Sequence, residues 1–352
     1  MVVGVVNGRM MEDIAIIGGL IGVQVLYAGS AMLLGYLMSL GIKSLTIVIF
    51  TSFATFLLLL PFAFYYERSK WPKQFSLKLL IQFIVIALAS VVFQSLFLKG
   101  INLTSPAMGT AMPNLAPGLI FIIAWIFRME KVDLRCTYSR VKIIGTLLCV
   151  VGAVAMSMMQ SLSTSVPIKE GTVTVQLASP PPVLTFDRDK IFGCIYLLVA
   201  IIILSSSIVL QAFTLGDFPA PMSLCVITSF LAGSLAAVAQ LVEDHQFSTG
   251  WPIVSVGDMV GYGFLSGAVS GICLSFNGWA LEKRGPVLVS MFSPIGTVCS
   301  VVFSAFTIGD TINIGSFAGM VLMFTGLYFV LWAKGKEGYS DSEFDAEKPL
   351  LS

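Results

Sequence analysis

The side chains of this chain that can do chemistry in an apolar setting are amides, hydroxyls and helix-breaking prolines, and they are thinly spread. Gln24 and Tyr27 stand three residues apart, so one face of a helix carries both. Gln94, Asn114, Gln211 and Asn277 are single amides inside long apolar runs. Pro113 and Pro117 flank Asn114, and Pro294 closes the run that carries Ser290 and Ser293. A proline inside a helix leaves the carbonyl four residues back without its partner. Pro113 would free the carbonyl of Gly109, Pro117 that of Pro113, and Pro294 that of Ser290. In lipid such carbonyls must find partners or line a wet cavity. These twelve residues are therefore expected to line a pathway for a small polar solute, with hydrogen bonding as their chemistry. The plainer reading is glue between helices, since a buried amide is usually paired and an interhelical bond contributes about 0.6–2 kcal/mol.

Other chemistries find no constellation. The single histidine, His245, follows Glu243 and Asp244 in a loop and reads as a solvated residue. The six cysteines show no C-x-x-C spacing, which argues against a disulfide framework or a zinc site. There is no Ser/His or paired-carboxylate arrangement for hydrolysis and no phosphate-binding glycine loop. No Asp, Glu, Lys or Arg falls near the centre of any apolar run, where a proton carrier, voltage sensor or selectivity ring would need one. No enzyme, cofactor or metal is expected. Net charge is +1, so no nucleic-acid partner is expected either. Asn102-Leu103-Thr104 is formally a glycosylation sequon, too close to an apolar run for use to be expected.

The elements that must position these residues are membrane helices. Hydrophobic residues make up 57% of the chain and charged ones 11%, against about 25% charged in a soluble domain. A bilayer core about 30 Å thick takes about 20 apolar residues of helix. The charge-bearing breaks give ten spans, near 14–40, 44–66, 77–98, 105–128, 139–160, 191–214, 221–242, 257–281, 286–307 and 313–333. The first follows Glu12 and Asp13 and is too long for a signal-peptide core, so it reads as a retained helix. With ten spans, one set of loops takes 15 of the 20 Lys and Arg residues. The basic side stays cytosolic, which puts both termini there.

The chain repeats itself. Pro106 precedes Glu130 and then Gly145 and Gly152, as Pro286 precedes Asp310 and then Gly319 and Gly326. Thr51-Ser52-Phe53 recurs as Thr228-Ser229-Phe230, and the acids Glu67 and Glu243 follow. Five spans per half is an odd number, so the halves must insert in opposite directions, an arrangement that secondary transporters use for alternating access. The expected organisation is a cytosolic N-terminus 1–13, a first repeat 14–160, an outer loop 161–190 containing Pro180-Pro181-Pro182, a second repeat 191–333 and a disordered cytosolic tail 334–352. Small residues let helices approach in lipid, and Gly18/Gly22, Gly263/Gly267/Gly271 and Gly315/Gly319 are candidate seams.

One resemblance spans nearly the whole chain. It is carried by Thr104-Ser105-Pro106, the run Ala111-Met112-Pro113-Asn114-Leu115-Ala116-Pro117, Ile126-Phe127-Arg128-Met129-Glu130-Lys131-Val132, Gly278-Trp279, Lys283-Arg284-Gly285-Pro286-Val287, Ser290-Met291-Phe292 and Gly326-Leu327-Tyr328-Phe329-Val330-Leu331-Trp332. These residues resemble the plant nodulin-like branch of the drug/metabolite transporter superfamily, which holds the walls-are-thin-related proteins and the "usually multiple acids move in and out" transporters. The resemblance implies an all-α membrane protein of ten transmembrane helices in two inverted five-helix EamA-type repeats. It also implies facilitative, bidirectional movement of amino acids or related small organic metabolites. This chain departs from many relatives at Phe50-Thr51, Phe93-Gln94 and Asn277-Gly278-Trp279. Substrate identity is therefore not carried over, and carriers of auxin, purines or nucleotide sugars are the alternatives. A sensor or scaffold that binds without moving its ligand is the rival class, against which two inverted halves and proline-broken helices count. The expected partners are a small-molecule substrate and the lipid bilayer, with the protein a monomer or homodimer. Plasma membrane is the first expected destination and the vacuolar membrane the second.

Overall fold

The computed structural model describes residues 2–39, 44–71, 76–104, 112–129, 137–164, 188–244, 256–308 and 314–346. Among them are ten α-helices: α1 (Val2–Ser39), α2 (Ser44–Glu67), α3 (Leu77–Leu103), α4 (Ala116–Ile126), α5 (Thr137–Thr164), α6 (Arg188–Asp217), α7 (Pro221–Asp244), α8 (Val256–Met291), α9 (Ser293–Ile308) and α10 (Ile314–Ala346). Short 3-10 turns, Arg68–Lys70 and Met112–Leu115, follow α2 and precede α4. No strand occurs among the described residues. Six helices are apolar and long enough to cross a membrane, one each in α1, α2, α3, α6, α7 and α8; α4, α9 and α10 carry shorter apolar stretches.

The outer surface is as apolar as the inside. Leu57, Phe62, Ile84, Ile122, Ile272 and Phe306 all face outward. In water this would drive aggregation; in a bilayer it is the solvated surface. Inside, one buried cluster joins α1, α4, α6, α8, α9 and α10 through Leu20, Ile120, Ile201, Met291, Ile295 and Met323. The principal helix contacts are α5 with α10, α3 with α6, α2 with α7 and α8, α1 with α8 and α9, α3 with α7, and α4 with α6.

Glycine sets the closest approaches. A Cβ on Gly326 would lie 2.5 Å from the Gly145 carbonyl oxygen and the Cys149 nitrogen, and one on Gly152 2.6 Å from the Met323 nitrogen, so α5 and α10 touch backbone to backbone. Gly267 of α8 meets Ala54 of α2 in the same way. The expected seam at Gly18 and Gly22 is not formed, because nothing lies within 4 Å of either; the glycine of α1 that touches a neighbour is Gly19, under the Phe276 ring. Gly315 and Gly319 belong to α10, and Gly319 supplies its carbonyl to the contact with Gly152.

Helix ends depart from the expected spans where proline and glycine act. Gly285 adopts φ 79°, which glycine tolerates without steric cost, and α8 kinks there and runs on through Pro286 to Met291. The next helix therefore begins at Ser293 rather than at 286, with Pro294 in its first turn, where a missing N–H costs little. Pro117 likewise sits in the first turn of α4, and Pro113 in the 3-10 turn before it. These prolines mark helix breaks within the apolar runs rather than kinks inside continuous spans. The carbonyl of Gly109 lies outside the described residues. Helix α4 ends in a Schellman arrangement: Met129 N–H donates to the Ala124 carbonyl at 2.9 Å and Arg128 N–H to that of Trp125 at 3.0 Å, with Arg128 at φ 58°.

The flanks also differ. The first helix runs ahead of the span expected from 14, starting at Val2, with its apolar stretch from Met11; the expected disordered tail is helical from 334 to Ala346, and the linker loses its ends to α5 and α6. Helix-compatible Val, Met, Glu and Lys with no proline let these flanking segments continue the helix. Residues 165–187, the rest of the expected loop, and 347–352 lie outside the described residues.

Candidate functional site

A cavity of about 480 Å³ opens among α1, α2, α3, α6, α7 and α8 and reaches the α8–α9 break. The structure brings seven of the twelve sequence candidates onto its wall: Gln24, Tyr27, Gln94, Gln211, Asn277, Ser290 and Ser293. Gln24 and Tyr27 arrive together because they share a face of α1. Asn277 Nδ2 donates to the Tyr27 hydroxyl at 3.3 Å, bridging α8 and α1, while its Oδ1 is buried without a partner. Gln24 is buried, and its Oε1 lies 2.8 Å from where a Cβ on Gly296 would stand, so α9 reaches this amide only through a glycine.

The remaining candidates sit elsewhere. Asn114 is buried and accepts from Thr297 Oγ1 at 3.0 Å, tying the break before α4 to α9. Pro117 and Pro294 are buried in first turns and Pro113 is half-buried, none of them on the cavity wall. Gly109 lies outside the described residues.

Sequence reasoning passed over Phe93, Ser52, Ser90, Ser207, Thr228 and Ser229, which also line the cavity. Serine and threonine are too common in membrane helices to stand out alone. The repeated Thr-Ser-Phe triplet was the available signal, since Ser52, Thr228 and Ser229 belong to it. Among the described residues, no Asp, Glu, Lys or Arg lies on the wall.

One end of the cavity is closed between the two halves of the chain. Leu79, Phe83, Leu215, Phe218, Leu224 and Leu281 form a buried apolar plug, with the rings of Phe83 and Phe218 edge to face at 5.8 Å. Beyond it, the Glu67 carboxylate at the end of α2 accepts from the backbone N–H groups of Met222 (3.1 Å) and Ser223 (2.7 Å) and from the Ser223 hydroxyl (2.8 Å). A carboxylate at a helix N-terminus satisfies free N–H groups and meets the positive end of the dipole, so α2 caps α7. Trp71 Nε1–H donates to the same Ser223 hydroxyl at 2.9 Å. Ion pairs Lys78–Asp217 (2.7 Å), Lys283–Glu12 (3.7 Å) and Arg284–Asp13 complete this end. They are partly exposed, and pairs of that kind contribute about 0–1 kcal/mol each.

A helical bundle with an uncharged internal cavity fits many proteins, and comparison with known sequences decides which. The family model of the EamA-like transporter family matches the chain over residues 14–158 and again over 191–332. The chain belongs to the EamA-like transporter family. Two WAT1-related proteins of Arabidopsis thaliana are similar along almost their whole length: one is 56% identical over 98% of this chain and 94% of its own, the other 50% identical over 96% and 98%. Protein WALLS ARE THIN 1 of the same plant is 30% identical over 88% of this chain and 81% of its own. A protein of known crystal structure shares the fold at a TM-score of 0.65, covering 90% of this chain and 97% of that one at 14% identity. The chain is thus an integral, multi-pass membrane protein of the WAT1-related branch of a transporter family.

Proposed function

We propose that this protein is a facilitative, bidirectional transporter of amino acids or related small organic metabolites, and that the 480 Å³ cavity is its substrate pathway. The observation that carries the reading is the composition of that cavity: amides and hydroxyls from both halves of the chain, an aromatic and aliphatic remainder, and no charged side chain among the described lining residues. Such a wall suits a solute without net charge and offers no deep group for carrying a proton.

The working architecture is ten spans in two inverted five-helix halves. Its support is the pattern of helix contacts. Exchanging each helix for its counterpart five positions along turns α1–α9 into α6–α4, α2–α8 into α7–α3 and α1–α8 into α6–α3, while α5–α10 and α2–α7 map onto themselves; every one of these pairs is in contact. Among the described residues the α6–α8, α4–α8 and α7–α8 contacts have no counterpart of like extent, as expected if the two halves hold different arrangements in one state. The bias of Lys and Arg supports cytosolic termini, which would put the closed end on the cytosolic side. The plasma membrane is the proposed site, with the vacuolar membrane second.

The test is radiotracer efflux from oocytes across a panel of amino acids, with auxin included. Expressed protein should accelerate efflux of at least one amino acid over uninjected cells. Acceleration of auxin alone would remove the amino-acid assignment, and no acceleration by surface-expressed protein would favour a sensor or scaffold.

A further inference from the structure

We infer that the cavity reads its solute through hydrogen-bond donors on that solute, an ammonium head group above all, and that no Lys or Arg among its described lining residues pairs with a carboxylate. The inference rests on the transport reading and names the chemistry of its substrate.

The argument is a count of where hydroxyl protons go. A serine or threonine hydroxyl has one proton and two lone pairs. Three of those on the cavity wall have spent the proton on their own helices: Ser90 Oγ donates to the Ile86 carbonyl at 3.0 Å, Thr228 Oγ1 to that of Leu224 at 2.8 Å, and Ser290 Oγ to that of Val287 at 2.9 Å. Each is left with lone pairs only. Asn277 leans the same way, with its Nδ2 engaged by Tyr27 and its Oδ1 unpaired. The hydroxyls of Tyr27, Ser52, Ser207, Ser229 and Ser293, like the amides of Gln24, Gln94 and Gln211, can donate as well as accept, and so leave the balance where the three spent hydroxyls and Asn277 set it.

The helix break adds to the same side. Val289 and Ser290, in the last turn of α8, line the cavity, and the carbonyl end of a helix carries partial negative charge. The opposing start of α9 would attract an anion if its N–H groups were free. Pro294 has no N–H, and that of Ile295 donates to the Phe292 carbonyl at 3.0 Å. A carboxylate entering this cavity loses its water and meets no Lys or Arg in return. An ammonium has three donors for the wall's lone pairs. For the apolar body of the solute, Phe93 on the wall is backed by Phe97, the rings stacked at 5.3 Å.

The experiment compares three solutes on one skeleton: L-phenylalanine, its decarboxylated amine 2-phenylethylamine, and its deaminated acid 3-phenylpropanoate. Binding to the purified full-length protein in detergent micelles, read by calorimetry, avoids passive leak of the amine across vesicles. The amine should bind within about threefold of phenylalanine and the acid about tenfold or more weaker, the difference expected from one charge-assisted hydrogen bond. Thr228→Val combined with Ser290→Ala should weaken the amine about tenfold. An unchanged unfolding temperature in a thermal scan would show that this variant is folded. Failure of the amine to bind where phenylalanine binds overturns the inference, as does equal binding of the acid. Binding of none of the three overturns it too, and the oocyte efflux panel separates that result from a failure of the transport reading.

Discussion

At the scale of single residues, the buried amides divide into two kinds. Gln94 lines the cavity, whereas Asn114 is buried against Thr297 and joins the break before α4 to α9. Gln94→Leu should therefore reduce flux several-fold while leaving membrane abundance and unfolding temperature near those of the parent. Asn114→Ala should lower stability by about 0.6–2 kcal/mol, as loss of an interhelical bond does. Flux normalised to surface protein, with unfolding followed in parallel, distinguishes the two; equal loss of both properties in Gln94→Leu would make that amide glue as well. Glu67 is a third kind, a buried carboxylate whose donors come from the opposite half. Glu67→Ala leaves N–H groups of α7 without a partner and should cost about 1–3 kcal/mol in thermal unfolding. Glu67→Gln, which keeps an acceptor, should recover part of that.

At the scale of elements, tolerance to a methyl group reports which helices touch. Gly326→Ala drives a Cβ into the backbone of α5 and should destabilise by about 1–3 kcal/mol, while Gly18→Ala meets open space and, in a helix, should be neutral or slightly stabilising. Arg128→Gly relieves a left-handed residue at the end of α4 and should stabilise by up to about 1 kcal/mol. Thermal unfolding of the three variants in one detergent orders them. The same elements show what the amino-acid sequence could disclose. Apolar length gave an all-helical membrane protein, and the shared face of Gln24 and Tyr27 led to the cavity, because both signals are local and periodic. Glycine seams were legible at Gly267 and Gly319, and not at Gly18 with Gly22, because spacing says two glycines share a face and not which face meets a neighbour. Pro113, Pro117 and Pro294 disclosed broken helices, but whether a break lines the cavity depends on how helices distant in sequence pack. Ser90 and Ser207 were invisible for the same reason, being ordinary residues until neighbouring helices set them around a common space.

At the scale of the whole molecule, the closed end between the halves and the cavity are what the proposed function requires of one state of a carrier driven by the gradient of its own substrate. Tags at both termini should be accessible from the cytosol and a tag near Gly171 from the opposite face only; a terminus on the same face as Gly171 would break the ten-span arrangement. The central claim, facilitated diffusion through an uncharged pathway, is tested most directly in proteoliposomes. The interior tracer level of a carried amino acid is followed with the membrane potential clamped and a pH gradient imposed. The predicted result is protein-dependent flux in either direction that stops when tracer concentrations equalise, whatever the pH gradient. Sustained accumulation above the external concentration would contradict the account and point to proton coupling through acids such as Glu12, Asp13 or Glu67.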